Sequence, residues 1–365
     1  MNKKELIAAL TEATKIVDCR SRIKAMRDAL LWSDGTRSWM VCARVGIDHQ
    51  VEVGAWFDLG PCADPPRCMV FSPREALHAV KLTDAVVTVS DLHLAHGDAE
   101  PLVYMLGPVI QARQITAREY NTAPLRHLMA HAAYAMSCDV TRSQFCAAHL
   151  TDDGDGLTIR TTDGHRLVRS TWCKDASLDL PVSRGERSIL IPASGLLAIQ
   201  RLIGRRVPRM IFGVNAGSQY LRTTVGAVTI VVRVNAYQSA LPVYDNVIPR
   251  ETQFSVTVSR VALAEALTAI LPTTGKLRVC VVTVWNGKLT LDDINGTNKH
   301  TLVVSKFVSA LQEPFKIGVS ARYLLDALEP LKAQEVTISM TDTLDPIKIT
   351  DLLSGAVAVI MPCRI

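Results

Sequence analysis

The strongest constraint on the fold is a plan of elements that occurs three times along the chain. Alanine-rich helical periodicity, with large apolar residues on one stripe, appears at Lys3–Val17 (KKELIAALTEATKIV), Ala123–Met136 (APLRHLMAHAAYAM) and Ser259–Leu271 (SRVALAEALTAIL). After strand-like sequence, each is followed by a second helix opened by a small residue or proline, at Ser72–Leu82, Pro192–Gly204 and Ser320–Lys332. A β-rich run then closes each unit, beginning at Ala85, Arg209 and Glu335. Helix, strands, helix, strands, three times over, predicts an α+β fold of three tandem domains, 1–115, 116–246 and 247–365, each with two helices and antiparallel sheets. The joins fall near Gln111–Arg118 and near Leu241–Arg250, and neither is long or of low complexity, which predicts rigidly joined domains.

Composition narrows the class. With 365 residues, 48% hydrophobic and 21% charged, the chain has the make-up of a globular protein of more than one domain. No apolar run reaches the roughly 18–20 residues that cross a bilayer, and Glu5 and Glu12 interrupt the amino-terminal segment where a signal peptide has its apolar centre. These features predict a cytoplasmic protein without a membrane partner. The nine cysteines are scattered and none forms a CxxC pair, which predicts reduced, mostly buried thiols and neither a disulfide framework nor a zinc site.

The stretch TTDGHRL, Thr161–Leu167, has two readings. Asp163 and His165 lie two apart and could act as base and orienter in an α+β enzyme. Against this, GxSxG, Walker A, GxGxxG and HExxH patterns are all absent from the chain. Asp-Gly between two strand-like runs is a hairpin signal, because glycine takes a positive φ without steric cost. His127 and His131, one helical turn apart, have the spacing of a metal pair, but no third ligand stands near; solvent-exposed or nucleic-acid-facing positions are the preferred reading.

Basic residues gather at Arg20, Arg22 and Lys24 and again at Arg201 and Arg205, as solvated faces or as phosphate contacts blind to base sequence. A net charge of +5 permits a polyanion partner without requiring one, and aromatic residues at 5% argue against stacking on single strands.

Four motifs in order, TTDGHRL (161–167), LPVYDNVIP (241–249), ARYLLDAL (321–328) and AVIMPCRI at the carboxyl end, make the chain resemble the bacterial DNA polymerase III β subunit, the sliding clamp family. The resemblance covers the whole length and the three-domain order. It implies a head-to-tail homodimer closed into a ring around duplex DNA, with helices lining the hole, no catalytic residue and no cofactor. It implies as partners the polymerase III α subunit, other polymerases and the clamp loader, which dock a short apolar peptide into a cleft between the second and third domains.

Carried over by motif, the cleft comprises Phe145, Thr162, Gly164, His165, Arg166 and Leu167, then Pro242, Val247 and Leu277. Ser320, Tyr323, Leu344, Val359, Ile360, Met361, Pro362, Cys363 and Arg364 complete it. Ser320, Asn246 and Cys363 stand where the family commonly has asparagine, a basic residue and methionine. The resemblance also implies DNA contact at Arg20, Arg22, Lys24, Arg201 and Arg205, and a ring interface at Leu102, Tyr104, Ile270 and Leu271. A specialised clamp paralogue, serving repair, a mobile element or inhibitor resistance, remains the alternative within the same fold.

Overall fold

The computed structural model of the chain describes residues 3–17, 27–33, 36–45, 51–61, 67–82, 119–120, 123–137, 139–152, 156–173, 188–203, 209–215, 218–235, 243–308 and 313–365. In the first repeat, α1 (Lys3–Ile16) leads to strands β1 (Ala29–Ser33), β2 (Arg37–Val45), β3 (Val51–Pro61) and β4 (Arg67–Phe71), then α2 (Pro73–Leu82). In the second, β5 (Glu119–Tyr120) and α3 (Ala123–Ala132) precede β6 (Ala147–Asp152), β7 (Gly156–Thr162), β8 (Arg166–Cys173) and β9 (Ser188–Pro192). It continues with α4 (Ala193–Ile203), β10 (Arg209–Asn215), β11 (Ser218–Val225) and β12 (Val228–Val234).

The third repeat holds β13 (Phe254–Ser259), α5 (Arg260–Ile270), β14 (Val279–Trp285), β15 (Lys288–Asp293), β16 (Lys299–Val308) and β17 (Phe315–Ser320). It ends with α6 (Ala321–Leu328), β18 (Glu335–Met340), β19 (Ile347–Thr350) and β20 (Ala356–Ile360). The six α-helices among the described residues fall inside the stretches that periodicity marks. The second and third repeats contain the expected strand sets; the run beginning at Ala85 lies outside the described residues.

Caps explain why the helices of the third repeat start where they do. The Ser259 hydroxyl accepts from the Ala262 amide at 3.4 Å, and the Ser320 hydroxyl accepts from the Tyr323 amide at 3.3 Å. Each satisfies an amide that the first helical turn leaves without a partner.

The chain forms two compact units that interleave in sequence: Met1–Arg126 with Leu178–Gln238, and His127–Ser177 with Ser239–Ile365. Strand pairing is the reason. In the first unit the sheet runs β4-β1-β2-β3-β12-β11-β10-β5, so β12 of the middle repeat pairs with β3 of the first, Val232 opposite Val53 and Val228 opposite Phe57. In the second unit the strands run β17-β14-β15-β16-β13-β18-β19-β20-β8-β7-β6, so β8 of the middle repeat pairs with β20 of the third. There Ala356 lies opposite Ser170 and Ile360 opposite Arg166. The middle repeat is thus shared between two units by its own strands.

Each unit has its own core. In the first, α1 buries Leu6, Leu10, Ala13 and Ile16, and Trp56 and Phe57 of β3 are almost wholly enclosed. In the second, Leu263, Leu267 and Ile270 of α5 join Leu324 and Leu328 of α6 and the inward positions of β13–β20 in one cluster. Each fully buried side chain of this size contributes roughly 1.5–3 kcal/mol. No helix among the described residues is long and apolar enough to cross a membrane.

Candidate functional site

The hairpin at residues 163–165 is built by one carboxylate. Asp163 Oδ1 accepts from the amides of His165 at 2.9 Å and Arg166 at 3.0 Å, and the Asp163 amide donates to the Arg166 carbonyl at 3.3 Å. Gly164 takes φ +92°, the conformation that side-chain-bearing residues avoid. The other oxygen, Oδ2, accepts from Arg166 Nε at 2.9 Å. Asp163 therefore holds the turn and Arg166, while the His165 side chain is exposed. The hairpin reading stands, and the Asp163 carboxylate is engaged elsewhere than with the His165 ring: Oδ1 serves the turn and Oδ2 the Arg166 side chain.

Beside this hairpin the β8–β20 junction opens a cavity of about 130 Å³ lined by Phe145, Thr162, Gly164, Arg166, Leu167, Tyr244, Val247, Val359 and Met361. Its floor is apolar: Leu167, Tyr244 and Val359 form a buried cluster with Ile248 and Val357 packed against it. Its lip is open, since Val247 is 42% and Met361 37% exposed. Met361 is held on the hairpin by its amide, which donates to the His165 carbonyl at 2.9 Å. Two residues on, the Cys363 amide donates to the Gly318 carbonyl at 2.8 Å, so the carboxyl-terminal residues lie along β17. A side chain at Gly318 would come within 2.6 Å of the Cys363 carbonyl oxygen.

Arg166 is the polar feature of this wall. Its Nη1 donates to Asp326 Oδ2 at 2.7 Å, and its guanidinium carbon sits 4.3 Å from the centre of the Tyr323 ring and 5.5 Å from that of Tyr134. Burial raises the Tyr134 and Tyr323 hydroxyls above the ordinary tyrosine value, although the Arg166 charge acts in the opposite sense on both. On the far side of Gly164, Arg142 lies over the Phe145 ring at 5.3 Å and pairs with Asp139 at 3.0 Å. Hydrogen bonds from Thr141 and Arg142 hold the Asp139 carboxyl below the usual range.

Of the expected cleft residues, the cavity gathers Phe145, Thr162, Gly164, Arg166, Leu167, Val247, Val359 and Met361. Tyr323 joins it through Arg166, and Ser320 caps the helix that carries Tyr323. His165, Pro362, Cys363 and Arg364 flank it on the hairpin and the carboxyl-terminal segment but do not line it. Ile360 belongs to the core of the unit, because β20 alternates and turns that residue inward. Leu277 and Leu344 are exposed, at 80% and 73%, and also stand outside the lining. Pro242 lies outside the described residues. Tyr244, Arg142 and Asp326 are additions that the sequence reading lacked; the aromatic in LPVYDNVIP and the acidic residue in ARYLLDAL were the available signals.

Of the other expected residues, Arg201 is exposed in the last turn of α4, while Arg20, Arg22, Lys24 and Arg205 lie outside the described residues. So do Leu102 and Tyr104. Ile270 is fully enclosed in the core and has no surface to offer, whereas Leu271 is half-buried at its edge.

The histidine pair also differs from its expectation. His131 is buried: its Nε2 donates to the Pro330 carbonyl at 3.3 Å, which leaves Nδ1 to accept from the Ser170 hydroxyl at 3.0 Å. His127 is half-buried, with Nε2 donating to the Ser354 carbonyl at 2.9 Å and its ring 5.2 Å from that of Trp172. Burial, aided by the neighbouring His127, lowers the His131 pKa to about 4. The pair is neither exposed nor metal-ready, because the helix turns both rings toward backbone carbonyls of its own unit. Among the described residues no cluster of three metal-ligating side chains occurs.

Residues 245–364 match the family described as DNA polymerase III beta subunit, C-terminal domain. A beta sliding clamp of Caulobacter vibrioides is 24% identical across 99% of this chain and 98% of its own length. One from Proteus mirabilis is 25% identical over 67% of this chain, a match spanning 64% of that protein. In fold, the DNA polymerase sliding clamp from Bacillus subtilis superposes with a TM-score of 0.79 over all of this chain and 98% of its own, at 17% identity. The fold is thus that of a sliding clamp. Its carboxyl-terminal third matches that family model, and along its whole length the chain is similar to a bacterial beta sliding clamp in sequence and to sliding clamps in fold.

Proposed function

We propose that the protein is a DNA sliding clamp, a processivity factor that encircles duplex DNA and tethers polymerases through the cleft at the β8–β20 junction. The observation that carries this reading is the cavity itself. An apolar floor, an open lip of Val247 and Met361, and one fixed guanidinium suit an apolar peptide segment with few polar demands. Met361 gives the lip the adaptable packing that several partners in turn would need.

The finer parts of the reading follow from the family. The chain acts in the cytoplasm without catalysis, as a head-to-tail homodimer whose six domains, divided at 1–115, 116–246 and 247–365, close a ring. Its partners are duplex DNA, the polymerase III α subunit, other polymerases and the clamp loader. A mild charge of +5 supports topological retention, since dense phosphate contact would hinder sliding. Arg201, with Arg20, Arg22, Lys24 and Arg205, is proposed to face the duplex, and Leu271 with Leu102 and Tyr104 to face the partner subunit.

Light scattering and retention on nicked circular DNA after loading test the ring. A strict monomer at micromolar concentration that leaves circular and linear DNA equally fast would refute it. Ser320 and Cys363, at or beside the cleft, favour a second reading as a clamp specialised for other partners. Competition with a replicative polymerase tail peptide separates the two: displacement supports the replicative role, and no binding of that peptide supports the specialised one.

A further inference from the structure

The inference rests on the cleft reading above and concerns a side chain that does not line the cavity. We propose that Asp326 is a positioning residue: it fixes Arg166 in the cleft wall and cancels its charge, so that the cleft accepts an uncharged carbonyl or amide oxygen in preference to a carboxylate.

The geometry for this is a closed set of four charges. Arg166 gives Nε to Asp163 Oδ2 at 2.9 Å and Nη1 to Asp326 Oδ2 at 2.7 Å. Asp326 Oδ1 takes Arg322 Nε at 2.8 Å. Two cations and two anions sum to zero. The Arg166, Asp163 and Asp326 side chains are only 12%, 14% and 11% exposed, so solvent screens their pairing weakly, while Arg322, 46% exposed, closes the set from the solvent side. The Tyr323 and Tyr134 rings restrict the guanidinium further.

A guanidinium carries five N–H donors, and the two carboxylates engage one through Nε and one through Nη1. The remaining donors keep their hydrogen-bonding capacity while the net charge that would attract an anion is already answered. A ligand carboxylate brought to Arg166 would also meet Asp163 and Asp326 as like charges. A peptide carbonyl or a side-chain amide meets no such opposition.

Asp326 is the separable half of this arrangement. Asp163 also accepts two backbone amides of the hairpin, so changing it disturbs the turn. Asp326 sits on α6, 160 positions along the chain from Arg166, and its carboxylate bonds two arginines, Arg166 and Arg322. Replacing it by asparagine keeps its shape and releases one unit of positive charge at the cavity wall.

The test uses the full-length protein and two synthetic peptides, each anchored by leucine and phenylalanine, that differ only in a glutamine or a glutamate beside the anchors. Fluorescence anisotropy at about 50 mM and about 500 mM salt gives the affinity ratio between them. The wild-type protein is expected to favour the glutamine peptide. Asp326→Asn is expected to move the ratio toward glutamate by about fivefold at low salt, and high salt should erase the gain. Asp326→Glu, which restores the charge, should return the ratio toward wild type, and Arg322→Gln should not move it toward glutamate.

An Asp326→Asn protein that melts like wild type and keeps the wild-type ratio at both salts would overturn the proposal and leave the cleft reading intact. If Asp326→Asn fails to fold, Asp326→Ser is read by the same ratio and the same two outcomes. A wild-type protein that binds neither peptide would overturn the cleft reading and this inference together.

Discussion

Two hollows, one in each unit, show what makes a surface into a site. The larger, about 670 Å³, lies in the first unit between α1 and the end of β3, bordered by Glu5, Glu12, Arg37, Phe57, Asp58 and the turn at Gly226–Ala227. The smaller, about 130 Å³, is the hairpin cleft of the second unit. In the larger, charges at the rim answer one another: Arg37 pairs with Asp58 at 2.6 Å and Lys15 with Glu12 at 2.6 Å, with side chains 31–50% exposed. In the smaller, Arg166 stands in the wall with Asp163 and Asp326 nearly enclosed beside it, and the lip is apolar. Volume alone does not define a binding site. Apolar surface converging on fixed polar groups does.

The comparison breaks most readily at the lip. Met361→Asp or Val247→Asp places a charge where an apolar anchor would sit; each should weaken peptide binding by about 100-fold or more while leaving the fold intact, because both side chains are already exposed. Ala8→Asp, in the larger hollow, should leave anisotropy titrations unchanged. Comparable losses from Ala8→Asp would assign peptide binding to the first unit.

Glycines sharpen the contrast one level down. Gly318→Val drives a side chain into the Cys363 carbonyl and the Ile365 side chain, and should cost about 2 kcal/mol of stability and displace the carboxyl-terminal segment that carries Met361. Gly60→Ala, at φ +95° with nothing within 4 Å, should cost only the backbone strain of about 1 kcal/mol and spare binding. Denaturant melts and peptide titrations on the two variants check both parts.

Acid should separate the units as well. His131 has a native pKa of about 4, below the unfolded value of 6.5, so its neutral form is the one the fold favours. Its contribution is fully present above about pH 6.5 and declines, by on the order of 2 kcal/mol, as pH falls toward about 4. Hydrogen exchange at descending pH should report this loss within residues 127–177 and 239–365. His131→Gln should flatten that part of the slope. The smallest effect belongs to Arg37→Ala, which breaks a half-exposed pair in the first unit; below about 1 kcal/mol is expected, with no change in binding.

How far the sequence showed this follows from the range of the interactions. The helices were legible because periodicity and caps such as Ser259 and Ser320 act within a few residues. So was the hairpin, since Asp163 and Gly164 settle it by local bonds. The partner of Arg166 was not, because Asp326 lies 160 positions away and nothing local announces it. His131 misled for the same reason: its helix pattern is visible, while the Ser170 and Pro330 groups that enclose it come from distant strands and loops. The repeat plan was legible, but not the interleaving, which depends on β12 choosing β3 and β8 choosing β20.

That choice has a consequence for how the protein can be handled or rearranged. Excising the middle repeat would strip β3 of its outer neighbour and β20 of its own, leaving two rows of unanswered N–H and C=O groups. Excised pieces should therefore seek each other, or the wrong partner, before they behave as independent domains. The repeats read as three modules on paper, yet their strands are woven: duplicating, deleting or moving the middle one would require mending two seams at once.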